Sequence, residues 1–207
     1  MSTGQIPPGG TYLDTLKRSF TDVPVHADKE NAIPTVEFLE AAESLVSIFD
    51  VLGSVAFSPV KSDMLGNVNK IRERFLAAPT ESETIQDLVN NEQKAKQKKA
   101  GDALLWLVRG LDFTCKGLAN NVAAADQELS TSFRAAYDGT LKPHHSFLVK
   151  PVFSAAMSAC PYRKDFYSKL GDDQDKVNAQ LKEYLAALQQ IVDILKAFLV
   201  SKGLEKK

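Results

Sequence analysis

The segment 102–122 carries an apolar residue at every third or fourth position, and this spacing limits what the chain can fold into. Such steps place side chains on one face of an α-helix, because the helix turns once in 3.6 residues. Other segments share the spacing, and none alternates as a half-buried strand does. We therefore predict one all-α domain over residues 1–207, with residues 1–10 flexible. The predicted helices are 11–20, 34–52, 59–77, 83–99, 102–122, 129–137, 146–160 (kinked at Pro151), 162–170 and 173–201.

The composition is that of an ordinary globular protein, with 44% hydrophobic and 25% charged residues. The net charge of -1 argues against nucleic-acid binding, although basic residues gather at 94–99 and 163–164. No apolar run approaches the length needed to span a bilayer, and residues 1–10 lack the pattern of a signal peptide. Cys115 and Cys160 lie among apolar residues, which is typical of free, buried thiols in a reducing cytosol. The sequence also allows the alternative of a disulfide between them.

Trp106 is the only tryptophan, and it lies across its predicted helix from the apolar stripe. At about 100° per residue, the indole is roughly 160–200° from the centre of that stripe. Asp102, Arg109 and Phe113 share its side. An indole beside a carboxylate and a guanidinium, away from the core, suits a polar ligand with a flat apolar face. A sugar ring has that shape and chemistry.

Asp63, Asn67 and Lys70 stand at i, i+4 and i+7 in the predicted helix 59–77, so they share one face. One interpretation is a solvated face with a weak Asp–Lys pairing. The other is a row of hydrogen-bonding groups for several hydroxyls, since a carboxylate accepts, an amide does both and an ammonium donates. The connector 51–60 is unusually apolar, and it either plugs the core or lines an apolar pocket.

His145 borders an apolar helical face, where a histidine is either a structural residue or a ligand contact. His144 beside it suggests a metal, but no third ligand follows at the usual spacing, so we predict neither metal nor cofactor. Phe147 and Lys150 point away from that face, as in a membrane contact or an ordinary surface. No nucleophile elbow, phosphate-binding glycine loop or cysteine–histidine motif is present, which argues against an enzyme.

Three motifs in one order resemble the glycolipid transfer protein family, especially its fungal members of the heterokaryon-incompatibility type. They are Asp63-x-x-x-Asn67-x-x-Lys70, then Trp106-Leu107-x-Arg109-Gly110-Leu111, then His145. The resemblance runs from about residue 38 to 170 and extends weakly into the last helix. It implies a two-layer helical sandwich that encloses an apolar pocket for one sphingolipid.

The resemblance also implies roles for individual residues. Trp106 would stack on the first sugar, while Asp63, Asn67 and Lys70 would bond its hydroxyls. Asp63 would also accept from the ceramide amide N–H, and His145 would donate to the amide carbonyl. Eight positions match the lining of an acyl-chain cavity: Phe49, Leu52, Phe57, Val60, Leu141, Phe153, Phe166 and Leu170.

Two expectations go beyond that pattern. Asp102 lies one turn before Trp106, so we expect it to add a headgroup acceptor, the alternative being a helix N-cap. Phe147 follows the expected amide contact closely, so we expect it to touch the membrane with Lys150, Arg163 and Lys164.

The leading functional prediction is a soluble carrier that moves one glycosphingolipid at a time between membranes. We expect a monomer that works in the cytoplasm, meets membranes transiently and binds no nucleic acid. The first alternative is a glycolipid sensor that acts through a protein partner, and the second is a helical scaffold without a lipid.

Overall fold

The computed structural model describes residues 6–205, and helices form most of this part of the chain. It contains no strand between these limits, only isolated bridges that pair His26 with Ala32 and Pro34 with Thr84. The all-α prediction is therefore confirmed for the described residues. The α-helices are α1 (Thr35–Val46), α2 (Ile48–Leu52), α3 (Ser58–Ala77), α4 (Ile85–Lys94), α5 (Lys99–Ala123), α6 (Leu129–Gly139), α7 (Val149–Ser158), α8 (Arg163–Leu170) and α9 (Gln174–Ser201).

Helix α5 is the centre of the fold and packs against α3, α6 and α9. Glycines on α5 let its neighbours approach closely. A Cβ atom at Gly117 would lie 2.5 Å from Phe133 Cδ1 on α6, and one at Gly110 would lie 3.2 Å from Met64 Cγ on α3. The α3–α5 approach matters most for function, because the candidate headgroup residues lie on these two helices.

The prediction that Arg109 and Phe113 lie away from the core is wrong. Both are buried, because the loop after α6 and helix α7 cover this side of α5 as well. Phe113 makes edge-to-face contacts with Phe133 and Phe153, with ring centroids 5.5 and 6.0 Å apart. Trp106 is only half-buried. The exposed part of this side of α5 is therefore smaller than the sequence indicated, because it lacks Arg109 and Phe113.

Side chains that bond to the backbone break two of the predicted helices. Ser47 separates α1 from α2, where its hydroxyl donates to the carbonyl of Ser44 and bonds to Tyr12. The predicted helix 83–99 ends at Lys94, because buried Glu92 accepts from the backbone N–H groups of Ala100 and Gly101, each at 2.8 Å. Glu92 thereby satisfies the free N–H groups at the start of α5.

The first segment of the chain is not the predicted helix 11–20. It forms 3₁₀ turns at Tyr12–Thr15 and Phe20–Asp22, and its polar groups bond to α9 instead. Gln180 bonds to Thr11 and Asp14, and Lys176 donates to the carbonyl of Gly9 at 2.8 Å. The hydrogen bond to Gly9 places this part of the chain beside α9, and residues 1–5 of the segment expected to be flexible lie outside the described residues.

Two further expectations need correction. Pro151 does not kink its helix, because α7 begins at Val149 and a proline in the first turn interrupts no internal hydrogen bond. Helix α9 (Gln174–Ser201) is long and apolar enough to cross a membrane by length and composition, contrary to our expectation. Its apolar face packs into the core, as in Leu188 and Leu195, a pattern that core helices of globular proteins share. Cys115 and Cys160 are both free.

Candidate functional site

The row of polar residues predicted on α3 is present as a connected chain. Asn67 Nδ2 lies 3.3 Å from Asp63 Oδ2, and Lys70 Nζ lies 3.4 Å from Asn67 Oδ1. Asn67 is buried, whereas Asp63 and Lys70 are exposed. The buried amide orients both neighbours, so this row is more organised than a freely solvated helix face.

The crossing of α3 and α5 places this row at the same height along the helix axes as Trp106. Two contacts fix the relative direction of the helices: Lys99 Nζ lies 2.5 Å from Glu73 Oε2, and Gly110 packs against Met64. Between the first contact and the second, the chain moves forward by eleven residues along α5 and backward by nine along α3. The two helices are therefore antiparallel. At about 1.5 Å of rise per residue, Asn67 lies level with Trp106, and Lys70 lies level with Asp102.

The indole of Trp106 has two polar neighbours. The guanidinium carbon of Arg109 lies 4.9 Å from the centre of the indole, a cation–π distance. The ring of His145 is stacked on the indole at 19°, with centroids 6.0 Å apart. Arg109 Nη2 also donates to the carbonyl of Glu205 at 2.9 Å, so Glu205 lies beside the site.

His145 joins the polar part of the site to the apolar part. Its Nδ1 lies 3.2 Å from the hydroxyl of Tyr137, and its ring centroid lies 4.5 Å from that of Phe153. Burial, together with electrostatic repulsion from the nearby His144, Arg109 and Lys150 side chains, lowers the pKa of His145 to about 4. The imidazole is thus neutral at pH 7 and carries a single ring N–H.

Two more electrostatic features define the site. Although Asp63 is exposed at its surface, the protein atoms around its carboxyl partly desolvate it, which raises its pKa from the usual 3.8, and the ammonium of Lys70 opposes that shift. Asp102 is half-buried in the first turns of α5, and its backbone N–H bonds to the carbonyl of Lys98. Asp102 is therefore inside the helix, and the N-cap alternative is wrong.

The eight residues expected to line an acyl-chain pocket are all buried in one apolar cluster. They come from α2, α3, α7, α8 and the segments between them. Phe49 and Phe57 stack with centroids 5.6 Å apart, and Phe153 stacks on Tyr137 at 5.3 Å. Phe57 fills part of the core, whereas its neighbour Val55 is 89% exposed. The apolar connector 51–60 therefore contributes side chains both to the core and to the surface.

Exposed apolar side chains concentrate beside His145. Five of the nine large apolar residues exposed between residues 6 and 205 lie on α7, just before it, or on the 3₁₀ turn Val55–Phe57, which packs against α7. We call them the apolar surface: Val55, Phe147, Leu148, Val149 and Val152. Phe147 is 79% exposed, and Lys150 is an exposed cation among them. Such concentrated exposure is typical of a contact surface.

Of the two α8 cations expected at this surface, Arg163 is bonded elsewhere in the structure. The Arg163 guanidinium bonds to Asn121 and lies 4.2 Å from the centre of the Tyr167 ring, so it supports the packing of α8 on α5. Lys164 is exposed on α8. The expected membrane role of Arg163 is therefore corrected to a structural one, because its guanidinium is already engaged.

Comparison with known proteins identifies the family. The glycolipid transfer protein family model matches residues 33–172. The chain belongs to the glycolipid transfer protein family. A protein named glycolipid transfer protein from the fungus Aureobasidium melanogenum is 61% identical over 95% of this chain and 96% of its own length. The human pleckstrin homology domain-containing family A member 8 is 34% identical over 94% of this chain, which spans 40% of that protein.

Solved structures confirm the two-layer helical sandwich. The crystal structure of HET-C2, a fungal glycolipid transfer protein, superposes with a TM-score of 0.92 at 66% identity, covering 95% of this chain and all (100%) of that one. A structure of FAPP2, described as selecting simple glycosphingolipids with this fold, gives 0.86 at 31% identity, covering 95% and 98%. Human ceramide-1-phosphate transfer protein, at 18% identity and 0.81, shares the fold.

Sequence reasoning missed Tyr137, the hydrogen-bonding partner of His145. Its position on α6 carries no motif, and it reaches His145 only because the loop after α6 folds back. Sequence reasoning also missed Val55 and Leu148, since an exposed apolar residue looks like a core residue until its helix is packed.

Proposed function

We propose that the protein binds one glycosphingolipid and carries it between membranes. The observation that carries the proposal is the alignment of the α3 row with Trp106, joined through His145 to the apolar cluster. A sphingolipid has the same order of parts: a hydroxyl-rich headgroup, an amide and two hydrocarbon chains. The names of the fungal relative and of the FAPP2 structure support this choice of ligand.

The headgroup would be held between α3 and α5. Trp106 offers an aromatic face to the first sugar, while Asp63, Asn67 and Lys70 bond to its hydroxyls. Asp102, level with Lys70, adds an acceptor on the same side. The amide would lie between Asp63, which accepts from its N–H, and His145, which donates to its carbonyl. Carboxylate acceptors make the stronger bonds in such a site.

The chains would enter the apolar cluster by parting its side chains. Leaving hydrocarbon in water costs about 0.8 kcal/mol for each CH₂ group, so an uncovered sphingolipid leaves a membrane very slowly. A sleeve formed by Phe49, Phe57, Phe153 and their neighbours removes that cost. We propose that the protein acts as a soluble monomer in the cytoplasm and meets membranes only transiently. No covalent step is needed for a carrier that must release its ligand.

Fluorescence of Trp106 tests the proposal directly, because this is the only tryptophan in the chain. Vesicles that contain a monohexosylceramide should shift its emission to the blue and change its intensity, since a sugar face replaces water at a half-buried indole. Matched vesicles with ceramide, which has no sugar, should do much less. An identical response to the two lipids would contradict the stacking role.

The apolar surface predicts how the protein docks. Phe147→Ala should weaken vesicle binding roughly 10- to 150-fold and slow transfer, because burying a phenyl ring in the interface contributes roughly 1.5–3 kcal/mol. Binding of a short-chain, water-soluble glycolipid should hardly change, since Phe147 is exposed and outside the apolar cluster. Vesicle sedimentation and a transfer assay measure the first two quantities.

Leu76→Ala is a matched control, because Leu76 is also exposed, at 67%, but lies near the end of α3. It should leave vesicle binding unchanged. If Phe147→Ala weakened soluble glycolipid binding as much as vesicle binding, Phe147 would belong to the ligand site and not to the docking surface.

A further inference from the structure

A groove on the surface is lined by three separate parts of the chain, within residues 28–32, 83–90 and 193–202. These are a segment before α1, the start of α4 with the residues just before it, and the end of α9. The groove has a volume of about 880 Å³, near the upper limit of small-molecule pockets. None of the residues assigned to the glycolipid lines it, so the groove is a separate feature of the molecule.

The groove carries more negative than positive charge. Two lysines line it, Lys29 and Lys202, together with five carboxylates: Asp28, Glu30, Glu83, Asp87 and Asp193. Its net formal charge is therefore -3, whereas the whole chain carries only -1. None of the five carboxylates forms an ion pair with a described residue. The end of α9 at Ser201 adds the negative end of a helix dipole, so the groove attracts cationic groups.

These carboxylates do not form a metal site. Between residues 6 and 205, no three side chains of the types that bind metals are placed to hold one ion. The negative charges are instead distributed over three segments of the chain, so they fit an occupant that carries several separate cations. Lysine and arginine side chains of a peptide have this distribution, because each cation is at the end of its own flexible stem.

An apolar strip on α9 lies among these charges. Ile194, Ala197 and Phe198 are three and four residues apart, so they share one face of the helix. Ala197 is exposed, and the other two side chains are half-buried. An apolar strip surrounded by polar residues is typical of a surface that binds protein. The occupant should therefore have an apolar side chain as well as cationic ones.

The groove is far from the apolar surface. Helix α3 begins at Ser58, next to the turn Val55–Phe57 that packs against α7, and it ends at Ala77. Its 20 residues span about 30 Å, at about 1.5 Å per residue. Glu83 of the groove follows shortly after this far end of α3. The groove therefore stays accessible when the apolar surface touches a membrane.

We propose that this groove binds a short basic segment of a partner protein. Its lysine or arginine side chains would lie beside the carboxylates, and an apolar side chain would lie on the α9 strip. Charge complementarity and the apolar strip together select this partner. The proposal does not depend on glycolipid binding, because no residue of the lipid site takes part. A partner bound here would leave both the lipid site and the apolar surface free.

Three labelled peptides of equal length test the chemistry by fluorescence anisotropy with the full-length protein. The first combines lysines with leucines, serine replaces leucine in the second, and glutamate replaces lysine in the third. The lysine–leucine peptide should bind saturably, and the lysine–serine peptide several-fold more weakly, because it makes no apolar contact. The glutamate–leucine peptide should not bind, since the groove repels it. Equal binding of the first two peptides, or saturable binding of the third, would overturn the proposal.

Ala197→Arg places a large cation in the middle of the apolar strip. It should weaken binding of the lysine–leucine peptide about tenfold or more, because like charges in an interface repel. Ala186→Arg is the matched control, since Ala186 is exposed on the same helix outside the groove, and it should keep the affinity. Circular dichroism and the melting temperature check that both variants fold. An unchanged affinity in Ala197→Arg, or an equal loss in both variants, would contradict the proposed site.

Neutralising two carboxylates separates the groove from the charge of the whole molecule. Glu30→Gln combined with Glu83→Gln should weaken binding of the lysine–leucine peptide about 2- to 30-fold, since each exposed ion pair contributes modestly. Asp126→Asn combined with Asp172→Asn removes as many charges from exposed positions outside the groove, and it should change the affinity much less. If both pairs of substitutions weakened binding equally, net charge and not the groove would attract the peptide, and the proposal would be wrong.

Discussion

Asp63→Val should reduce glycolipid transfer at least 100-fold while leaving the helical fold intact. The Asp63 carboxylate would accept from a sugar hydroxyl and from the ceramide amide, and each bond to a charged group contributes roughly 1.5–3 kcal/mol. Losing two of them removes roughly 3–6 kcal/mol of binding free energy, more than a hundredfold in affinity. Transfer between vesicles and binding by Trp106 fluorescence measure the loss.

Stability should not fall with activity in this variant. Partial desolvation of the carboxyl raises the pKa of Asp63, so its charged form is somewhat less favourable in the folded chain than in the unfolded one. Above that raised pKa the carboxylate therefore opposes folding, and at pH 7 valine should leave the melting temperature unchanged or slightly higher. Asn69→Val, an exposed change on another face of α3, is the control and should transfer normally. If the folded Asp63→Val variant transferred glycolipid normally, Asp63 would be an ordinary solvated surface residue and not a ligand contact.

The periodicity of apolar residues predicted nearly every helix, because burial of one face is a local property of the sequence. The breaks were not predictable in the same way. Ser47 ends α1 through hydrogen bonds that include one to Tyr12. Glu92 separates α4 from α5, because its carboxylate accepts from the backbone N–H groups eight and nine residues ahead. Both depend on side chains that meet only after the helices pack.

The candidate site likewise has a part that local helical spacing predicts and a part that depends on how the helices pack. The α3 row of Asp63, Asn67 and Lys70 follows from helical spacing alone, and the structure shows it connected. That Trp106 lies level with Asn67 depends on the antiparallel crossing of α3 and α5 at Gly110.

His145→Leu should weaken binding of every ceramide-based lipid by a similar factor, whatever its sugar. In the proposed complex, His145 donates from Nε2 to the amide carbonyl while Nδ1 accepts from the Tyr137 hydroxyl, which bonds at 3.2 Å. The lowered pKa of about 4 keeps this neutral form across the physiological range, so the N–H is always available. Leucine preserves the apolar contact with Phe153 but leaves the carbonyl without a donor. Such a group costs roughly 1–3 kcal/mol, about 5- to 150-fold in affinity.

Tyr137→Phe separates the hydrogen bond from the bulk of the imidazole. It keeps the stacking of residue 137 on Phe153, whose centroid lies 5.3 Å away, and removes only the hydroxyl that selects the Nε2–H form. We expect a smaller loss than for His145→Leu, about 2- to 12-fold for roughly 0.5–1.5 kcal/mol, and again the same factor for monohexosyl- and dihexosylceramide. Calorimetric titration with short-chain forms of both lipids compares these factors without a membrane. If either variant affected one headgroup much more than the other, the contact of His145 would be with the sugar and the amide assignment would be wrong.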